Sequence, residues 1–317
     1  MRLLIAACLA ASAMGAAHAQ SDFPAQPVTF VVGFAPGGGM DTMARLLGAR
    51  LSREIGQPVV VENRPGAGGT IAPAHVAAAR PDGYTLYAGE TSAALGPVFQ
   101  GDVGYDIVES FAPVARVAVA PQALVASPSL EVETLAEFID LVREAPGEYF
   151  YAAPGVATLH YLAGEMLKEA AGLEMDAVQF QGGSPSVAAV VAGEVPFGIV
   201  SISAALSQAE GGNLVILGHT GPDRVEGFEE IDPIATVVED FEAMPSQFIL
   251  APAGTPVEVV ERLSTAIGAA LADEGLRRQL QDTGLVPAFQ PAAELAAELP
   301  ASAERWMAVA ADIRDRP

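Results

Sequence analysis

The pattern of apolar and polar positions near the N-terminus predicts a strand, a glycine loop and a helix in succession. Val28–Val32 is a short apolar run rich in β-branched residues, as expected for a buried parallel strand. Pro36 and the three glycines Gly37–Gly39 interrupt it, and beyond Asp41 apolar residues recur at helical spacing as far as Ile55. Since a helix start exposes unpaired N–H groups and the positive end of the helix dipole, we predict that this loop binds a small anion such as a carboxylate.

The same arrangement recurs in the middle of the chain. Tyr149–Ala153 is predicted as a strand, Pro154–Thr158 as a loop and Leu159–Ala171 as a helix. Between the two units, Phe111–Ser127 is mostly extended, but its internal prolines make it a poor single strand and a reasonable crossing between domains. Gln247–Ala251 is predicted as a strand that returns the chain. The pattern therefore predicts two facing α/β lobes, each offering a helix N-terminus to a shared cleft.

Several other segments complete the predicted lobes. Further strands are expected at Gln57–Asn63, Tyr84–Ala88, Ala177–Phe180, Val195–Val200 and Leu214–Leu217. Amphipathic helices are expected at Thr134–Ala145, Pro256–Ala272 and in the segments up to Arg314. The predicted organisation is a first lobe of residues 20–123 plus 243–317 and a second lobe of residues 124–242.

Small and polar residues follow the predicted strands at what should be one edge of each sheet. They include Thr91 and Ser92 after the third strand and Ser201 after a strand of the second lobe. Ligands bind at such strand ends in open parallel sheets, although the same residue types also mark ordinary turns. Asp41 has two interpretations, a ligand contact or a helix N-cap, and the cap is favoured because its charge would repel a carboxylate.

Composition narrows the classes of function. The chain has 317 residues, 51% of them hydrophobic, which is enough for two domains or one large one. Its formal net charge is −23 and Lys168 is its only lysine, which argues against a nucleic-acid partner. An anionic ligand gains nothing from this overall field and has to be held by local dipoles and hydrogen bonds.

The first residues have the pattern of a signal peptide. Arg2 precedes the apolar run Leu3–Ala17, and Ala17–Ala19 fits a small-x-small cleavage site, so we expect a signal peptide of residues 1–19 and a periplasmic product. Cys8 lies within this segment, too early for a lipoprotein box, so the mature chain contains no cysteine. Beyond it, no stretch has the run of roughly 18 apolar residues that a membrane helix needs.

Motifs for catalysis or cofactor binding are missing from the sequence. It contains no Gly-x-Ser-x-Gly elbow, no His-Glu-x-x-His motif and no Gly-Lys-Ser/Thr after either loop, so neither an enzyme nor a cofactor or metal site is predicted. His75 is expected to be structural. His160 and His219 lie close to predicted loops, where either a ligand contact or a structural role is open.

Four motifs together resemble one known family. Val32–Asp41 is similar to its F-x-P-G-G-x-x-D loop, and Val59–Gly69, VVVENRPGAGG, to its most recognisable motif. Tyr151–Thr158 resembles Y-A-S-P-G-V-G-T, and Leu250–Pro256 completes the pattern. By these motifs the chain resembles, over essentially all of its mature length, the substrate-binding proteins of tripartite tricarboxylate transporters, the Bug family.

The resemblance implies a fold, a function and a site. The fold is the two-lobed periplasmic binding protein type II fold, an α/β fold in which each lobe is a mostly parallel sheet flanked by helices. The function is to bind a small organic carboxylate in the cleft between the lobes, as a monomer and without catalysis, and to deliver it to membrane permease subunits. In the family the two glycine loops hold one carboxylate. The ligand-binding residues predicted here are Gly37, Gly38, Gly39, Met40, Asp41, Thr91, Ser92, Pro154, Gly155, Val156, Ala157, Thr158, Gln181 and Ser201.

This sequence departs from the family pattern near the cleft. The usual V-P-Y-[KR]-G reads Val178–Gly182 with Gln181 in place of the basic residue, and a frequent Asp-Asn reads Val200-Ser201. Losing a cation and an anion makes the cleft more neutral, so we hypothesise a monocarboxylate or a less charged ligand. Two alternatives stay open: a receptor that presents its ligand to a membrane sensor kinase, and, more remotely, an exported hydrolase.

Overall fold

The computed structural model describes residues 23–156, 158–180 and 183–315. The predicted signal peptide and Cys8 lie outside them. The strands are β1 (Val28–Val32), β2 (Val59–Asn63), β3 (Thr85–Glu90), β4 (Phe111–Val119), β5 (Gln122–Ala126), β6 (Tyr149–Ala153), β7 (Met175–Gln179), β8 (Phe197–Ser201), β9 (Val215–His219), β10 (Ser246–Pro252) and β11 (Val286–Pro291). The helices are α1 (Gly39–Ile55), α2 (Ile71–Ala77), α3 (Gly96–Gln100), α4 (Leu135–Glu144), α5 (Leu159–Ala171), α6 (Gly183–Val191), α7 (Ile202–Ala209), α8 (Val257–Leu271), α9 (Glu274–Gln281) and α10 (Ala292–Asp315).

The strands form two sheets with the same internal arrangement. The first has the order β11-β4-β10-β3-β1-β2 and the second the order β7-β6-β8-β5-β9. In the first, β1 is parallel to β2 and β3, and β10 is antiparallel to β3 and β4. In the second, β6 is parallel to β7 and β8, and β5 is antiparallel to β8 and β9. Thus β1 corresponds to β6, β3 to β8 and β10 to β5.

The two sheets are joined where the chain crosses between them. Strand β4 belongs to the first sheet and β5 to the second, so the extended segment Phe111–Ser127 is a crossing, as predicted. The N–H of Ala120 donates to the carbonyl of Pro245, 2.9 Å away, which links this crossing to the returning one. Each crossing inserts an antiparallel strand, and the sheets are therefore mixed rather than mostly parallel. The exact lobe boundaries stay a prediction.

Helix α1 packs on the first sheet through an apolar stripe at helical spacing. Met43, Leu47 and Leu51 are fully buried and share a core with Phe30 of β1 and Ile267 of α8. Burying each such side chain contributes about 1.5–3 kcal/mol. This packing fixes the start of α1 at the carboxyl end of β1.

The core of the second lobe holds α5 in the corresponding place. Leu162 of α5 is fully buried in one cluster with Phe138 of α4, Tyr151 of β6 and Phe197 of β8. The rings of Phe138 and Phe197 meet edge to face with centroids 4.6 Å apart, a favoured aromatic geometry. Helix α5 consequently begins at the carboxyl end of β6.

One strand was missed in the C-terminal region, where the sequence predicts only helices. Strand β11 pairs antiparallel with β4 at the edge of the first sheet. It contains Pro287 and Pro291, which cannot donate to a sheet and are tolerated at an edge. A short apolar run between two helical patterns gives no periodicity by which to recognise such a strand.

Helix α10 contacts both lobes. Leu295 and Leu299 in its first half lie in the core on the outer face of the first sheet, with Tyr87. Trp306 and Ile313 in its second half lie in the core of the second lobe. Within the described part of the chain, no helix combines the length and apolar character needed to cross a bilayer.

We expect Trp306→Ala to lower the free energy of unfolding by about 3–5 kcal/mol, because it leaves a large cavity where α10 meets the second lobe. Trp306 is only 4% exposed, whereas Val257, the control position for Val257→Ala, is 68% exposed. Urea unfolding followed by circular dichroism measures both. A loss below about 1 kcal/mol for Trp306→Ala would contradict the packing of α10 on the second lobe.

Candidate functional site

The first loop of the site lies between β1 and α1. Gly37–Gly39 is exposed, and Gly37 has φ +84°, a conformation that glycine adopts without strain. The first backbone hydrogen bond of α1 runs from the N–H of Thr42 to the carbonyl of Gly38, 2.9 Å. The N–H groups of Gly39 and Met40 precede that bond, at the positive end of the helix dipole. This end of α1 can therefore donate hydrogen bonds to an anion.

Asp41 does not cap the helix, because Gly38 is the N-cap residue and Asp41 lies within the first turn. Its carboxylate is 3% exposed and accepts from the N–H of Gly37 (2.9 Å), the Nδ2 of Asn63 (2.8 Å) and the guanidinium of Arg45 (2.8 and 2.9 Å). The hydrogen bonds from Arg45, Gly37 and Asn63 lower the pKa of Asp41 to about 2. Asp41 thus stabilises the loop through its hydrogen bond from Gly37, and the negative charge of Asp41 is compensated by Arg45.

The second loop of the site lies between β6 and α5. Gly155 has φ +128° and Val156 is 50% exposed, while Ala157 lies outside the described residues. Thr158 is the N-cap of α5: its hydroxyl accepts from the N–H of Tyr161 (3.3 Å) and donates to the carbonyl of Gly155 (2.7 Å). The Thr158 side chain therefore shapes the loop, and Pro154, Gly155 and Val156 form its accessible part.

A buried polar network fixes α5 beneath this loop. The hydroxyl of Tyr151 donates to Glu165 (2.8 Å), and Lys168 pairs with the same carboxylate at 2.9 Å. Burial and the negative charge of Glu165 raise the pKa of Tyr151. Gly164 lets the helix approach, because a Cβ at this position would lie 2.3 Å from the ring of Tyr151. The middle of α5 is therefore held against β6.

Thr91 and Ser92, predicted as ligand contacts, both make hydrogen bonds within the protein. The buried hydroxyl of Thr91 accepts from the N–H of Ser246 at 2.9 Å, which ties the end of β3 to the start of β10. The hydroxyl of Ser92 donates to Glu90 at 2.8 Å. Burial raises the pKa of Glu90. Both predicted residues lie at the expected end of β3. The ionisable group at this position, however, is the carboxyl group of Glu90.

Ser201 ends β8 and lies at the N-cap position of α7. Its side chain is exposed and makes no capping hydrogen bond. Gln181, predicted to lie nearby, is outside the described residues. Among the described residues of the second lobe, the hydroxyl of Ser201 has no capping partner and is exposed, so it is open to a ligand.

The two histidines that were open at the sequence level have different environments. His160 is half-buried in the first turn of α5, and burial lowers its pKa to about 4. His219 is fully buried, and its Nδ1 accepts from the N–H of Gly221 at 3.0 Å. His219 pairs with Ala123, which belongs to the core on the face of the second sheet away from α5. His160 is thus near the second loop, whereas His219 is part of the core.

No cluster of three metal-ligating side chains occurs in residues 23–156, 158–180 and 183–315.

Two α/β lobes with an exposed loop at a helix start on each side define a solute-binding receptor. A sequence model described as "Tripartite tricarboxylate transporter family receptor" matches residues 43–313. A protein of Bordetella bronchiseptica described only as a UPF0065 protein is 34% identical, with 86% of this chain and 81% of that protein covered. Protein BugT of Bordetella pertussis is 30% identical, with 95% and 93% covered. The chain belongs to this family of receptors.

Solved structures agree with that assignment. "R. palustris Rpa4515 with adipate" superposes with a TM-score of 0.80 at 32% identity and covers 91% of this chain and 97% of that one. "MatC (Rpa3494) from Rhodopseudomonas palustris with bound malate" has a TM-score of 0.75 at 29% identity, with 91% and 100% covered. The two-lobed periplasmic binding protein fold predicted from the motifs is confirmed.

We expect Asp41→Asn to lower the free energy of unfolding by about 1–2 kcal/mol at pH 5–7, since half-exposed Arg45 is partly screened. The pKa of Asp41 is lower in the folded protein, so its contribution is complete above the unfolded value and disappears as the pH falls through about 2. Urea unfolding between pH 2 and 7 measures the difference. Asp140→Asn, at an exposed position of α4, is the control. A difference independent of pH would contradict the ion-pair explanation.

Proposed function

We propose that this protein is a periplasmic receptor that captures a small organic carboxylate and delivers it to the permease subunits of a tripartite tricarboxylate transporter. The observation that carries the proposal is the matched pair of loops, Gly37–Asp41 and Pro154–Thr158, each at the carboxyl end of a strand and the start of a helix. The carboxylates named for the two Rhodopseudomonas structures, adipate and malate, support this ligand class.

Backbone N–H groups and helix dipoles provide the attraction in this proposal. Arg45 is the basic side chain nearest the first loop in sequence, and its charge is compensated by Asp41. Lys168 is paired with Glu165. A carboxylate held between the two helix starts favours the closed arrangement of the lobes over the open one, and the difference in affinity sets the population of the closed form.

The ligand is expected to carry little charge beyond one carboxylate. The position at which relatives of this family often have a basic residue is Gln181, and Val200-Ser201 stands where they frequently have Asp-Asn. Isothermal titration calorimetry with citrate, dicarboxylates and monocarboxylates tests this part of the proposal. Tight binding of citrate without binding of monocarboxylates would reject it.

We expect Gly38→Val to weaken binding of the carboxylate by about tenfold or more, because a side chain blocks close approach to the first loop. Gly38 has φ −78°, and a Cβ there would have only the carbonyl oxygen of Ala35 as a neighbour, at 3.5 Å. The melting temperature of the ligand-free protein should therefore fall by only a few degrees, through the poorer N-cap that valine provides. Gly38→Ala is the matched smaller substitution, with a smaller expected loss. Full affinity in Gly38→Val would place the site elsewhere.

The Gly155→Val substitution in the second loop is expected to weaken binding too, but with a cost in stability. Gly155 has φ +128°, so any side chain at that position strains the backbone. Comparing the ligand-free melting temperatures of Gly38→Val and Gly155→Val shows how much of each loss in affinity comes from blocked access of the ligand and how much from backbone strain.

Mass spectrometry of small molecules released from freshly purified protein identifies the ligand directly. Recovery of a carboxylate supports the proposal, and turnover of it would indicate an enzyme instead. Capture of the permease subunits from membranes supports transport, whereas capture of a sensor kinase would indicate signalling. The mass of the mature N-terminus tests cleavage after Ala19.

A further inference from the structure

Three glutamines have buried amide atoms that lack hydrogen-bond partners among the described residues, and two of them, Gln122 and Gln247, are themselves almost fully buried. Gln122 is 2% exposed, and both its Oε1 and its Nε2 are unpaired. Gln247 is 3% exposed, and its Oε1 is unpaired. Buried side-chain amides are normally hydrogen-bonded, because leaving one unpaired costs the free energy of its desolvation. The partner of these two amides is therefore an ordered water or a bound ligand.

The two glutamines occupy the same place in the two sheets. Gln122 begins β5, where the chain enters the second lobe, and Gln247 is the second residue of β10, where it returns to the first. Gln122 pairs with Ser201 at the end of β8, and Gln247 pairs with Glu90 at the end of β3. Since β5 corresponds to β10 and β8 to β3, each lobe places one buried glutamine beside the polar end of a strand.

Both glutamines lie on the face of their sheet that carries the helix with the binding loop. Residues two apart on a strand share a face. Gln247 therefore shares a face with Ile249, which packs in the core of α1, and Gln122 shares a face with Leu124, which packs in the core of α5. The amides consequently lie at the loop-bearing edge of each sheet, on the face that carries α1 or α5.

The chemistry at these positions is dominated by hydrogen-bond acceptors. In the first lobe the unpaired atom is the carbonyl oxygen of Gln247, and its cross-strand neighbour is the carboxyl group of Glu90. In the second lobe Gln122 offers an unpaired acceptor and donor beside the exposed hydroxyl of Ser201. A ligand made only of carboxylate and hydrocarbon provides acceptors and would leave the carbonyl oxygens unpaired.

We propose that Gln122 and Gln247, with Glu90 and Ser201, form a subsite that binds a hydroxyl or ammonium group on the carboxylate ligand. This inference rests on the proposed function and specifies the ligand: a hydroxy acid or an amino acid rather than an unsubstituted acid. A site built to hydrogen-bond such a donor discriminates strongly against the analogue that lacks it, because the buried acceptors are then left unpaired.

The test uses matched ligands that differ in one substituent, titrated calorimetrically into the mature protein. One set is L-lactate, L-alanine and propionate, and the other is L-malate, L-aspartate and succinate. We expect the hydroxyl or the ammonium member of a set to bind at least about tenfold more tightly than its unsubstituted analogue. Comparison of the hydroxyl and ammonium members distinguishes the two donors.

Variants at the two glutamines connect that preference to the subsite. Gln122→Met and Gln247→Met replace the amide with an apolar group of similar length, so they should leave the melting temperature of the ligand-free protein unchanged or raise it. Each should reduce the preference for the substituted ligand, because the acceptor that receives its hydroxyl or ammonium hydrogen bond is lost. Gln290→Met is the control, since Gln290 also has an unpaired carbonyl oxygen but lies on the edge strand β11.

Three results would overturn the inference: equal affinity within both ligand sets, no binding of any of the six ligands, or a preference that survives both glutamine variants. Failure of Gln122→Met and of a second variant, Gln122→Leu, to fold would also overturn it, because an unpaired amide cannot be essential to the ligand-free fold. Recovery of an unsubstituted carboxylate from the purified protein would reject this inference and leave the proposed function intact.

Discussion

The fold of this receptor depends on the two places where the backbone crosses between its sheets. The first crossing delivers β5 and the second delivers β10, and each enters its sheet antiparallel to a strand that ends at the candidate site. The hydrogen bond from Ala120 to Pro245 holds the crossings side by side. Because the two sheets share one arrangement, the loops after β1 and β6 occupy equivalent positions, and the same geometry places Gln122 and Gln247 in equivalent positions.

Near the candidate site, charged side chains mainly stabilise the fold. Asp41 accepts hydrogen bonds from Gly37, Asn63 and Arg45, and Glu165 accepts from Tyr151 and Lys168. Asp41 stabilises the loop at the start of α1, Glu165 ties the middle of α5 to β6, and each carboxylate compensates a nearby cation. The groups proposed to contact the ligand are then backbone N–H groups, neutral side chains and the carboxyl group of Glu90, which recognise hydrogen-bonding capacity more than net charge.

The parts of the fold that the sequence predicts are the local ones. The units Val28–Ile55 and Tyr149–Ala171 follow from short apolar runs, glycine loops and helical periodicity, all contained in neighbouring residues. The positions of Asn63 against Asp41 and of Gln247 opposite Glu90 depend on strand pairing across long separations, so no local pattern reveals them. A polar residue next to an apolar run, as at Gln122, was the only local sign of the proposed subsite. Its position opposite Ser201 becomes clear only from the order of the strands in the sheet.

The acidic surface and the proposed anionic ligand are compatible because they act over different distances. A net charge of −23 disfavours the approach of an anion, but at physiological ionic strength this field decays over about 8 Å. At the proposed site, the N–H groups at the starts of α1 and α5 are oriented before the ligand arrives, so binding requires little reorganisation of them. A hydroxyl or ammonium donor on the ligand adds affinity without adding negative charge. A strongly acidic receptor can use this form of specificity even though Arg45 and Lys168, the basic side chains near its loops, are already paired.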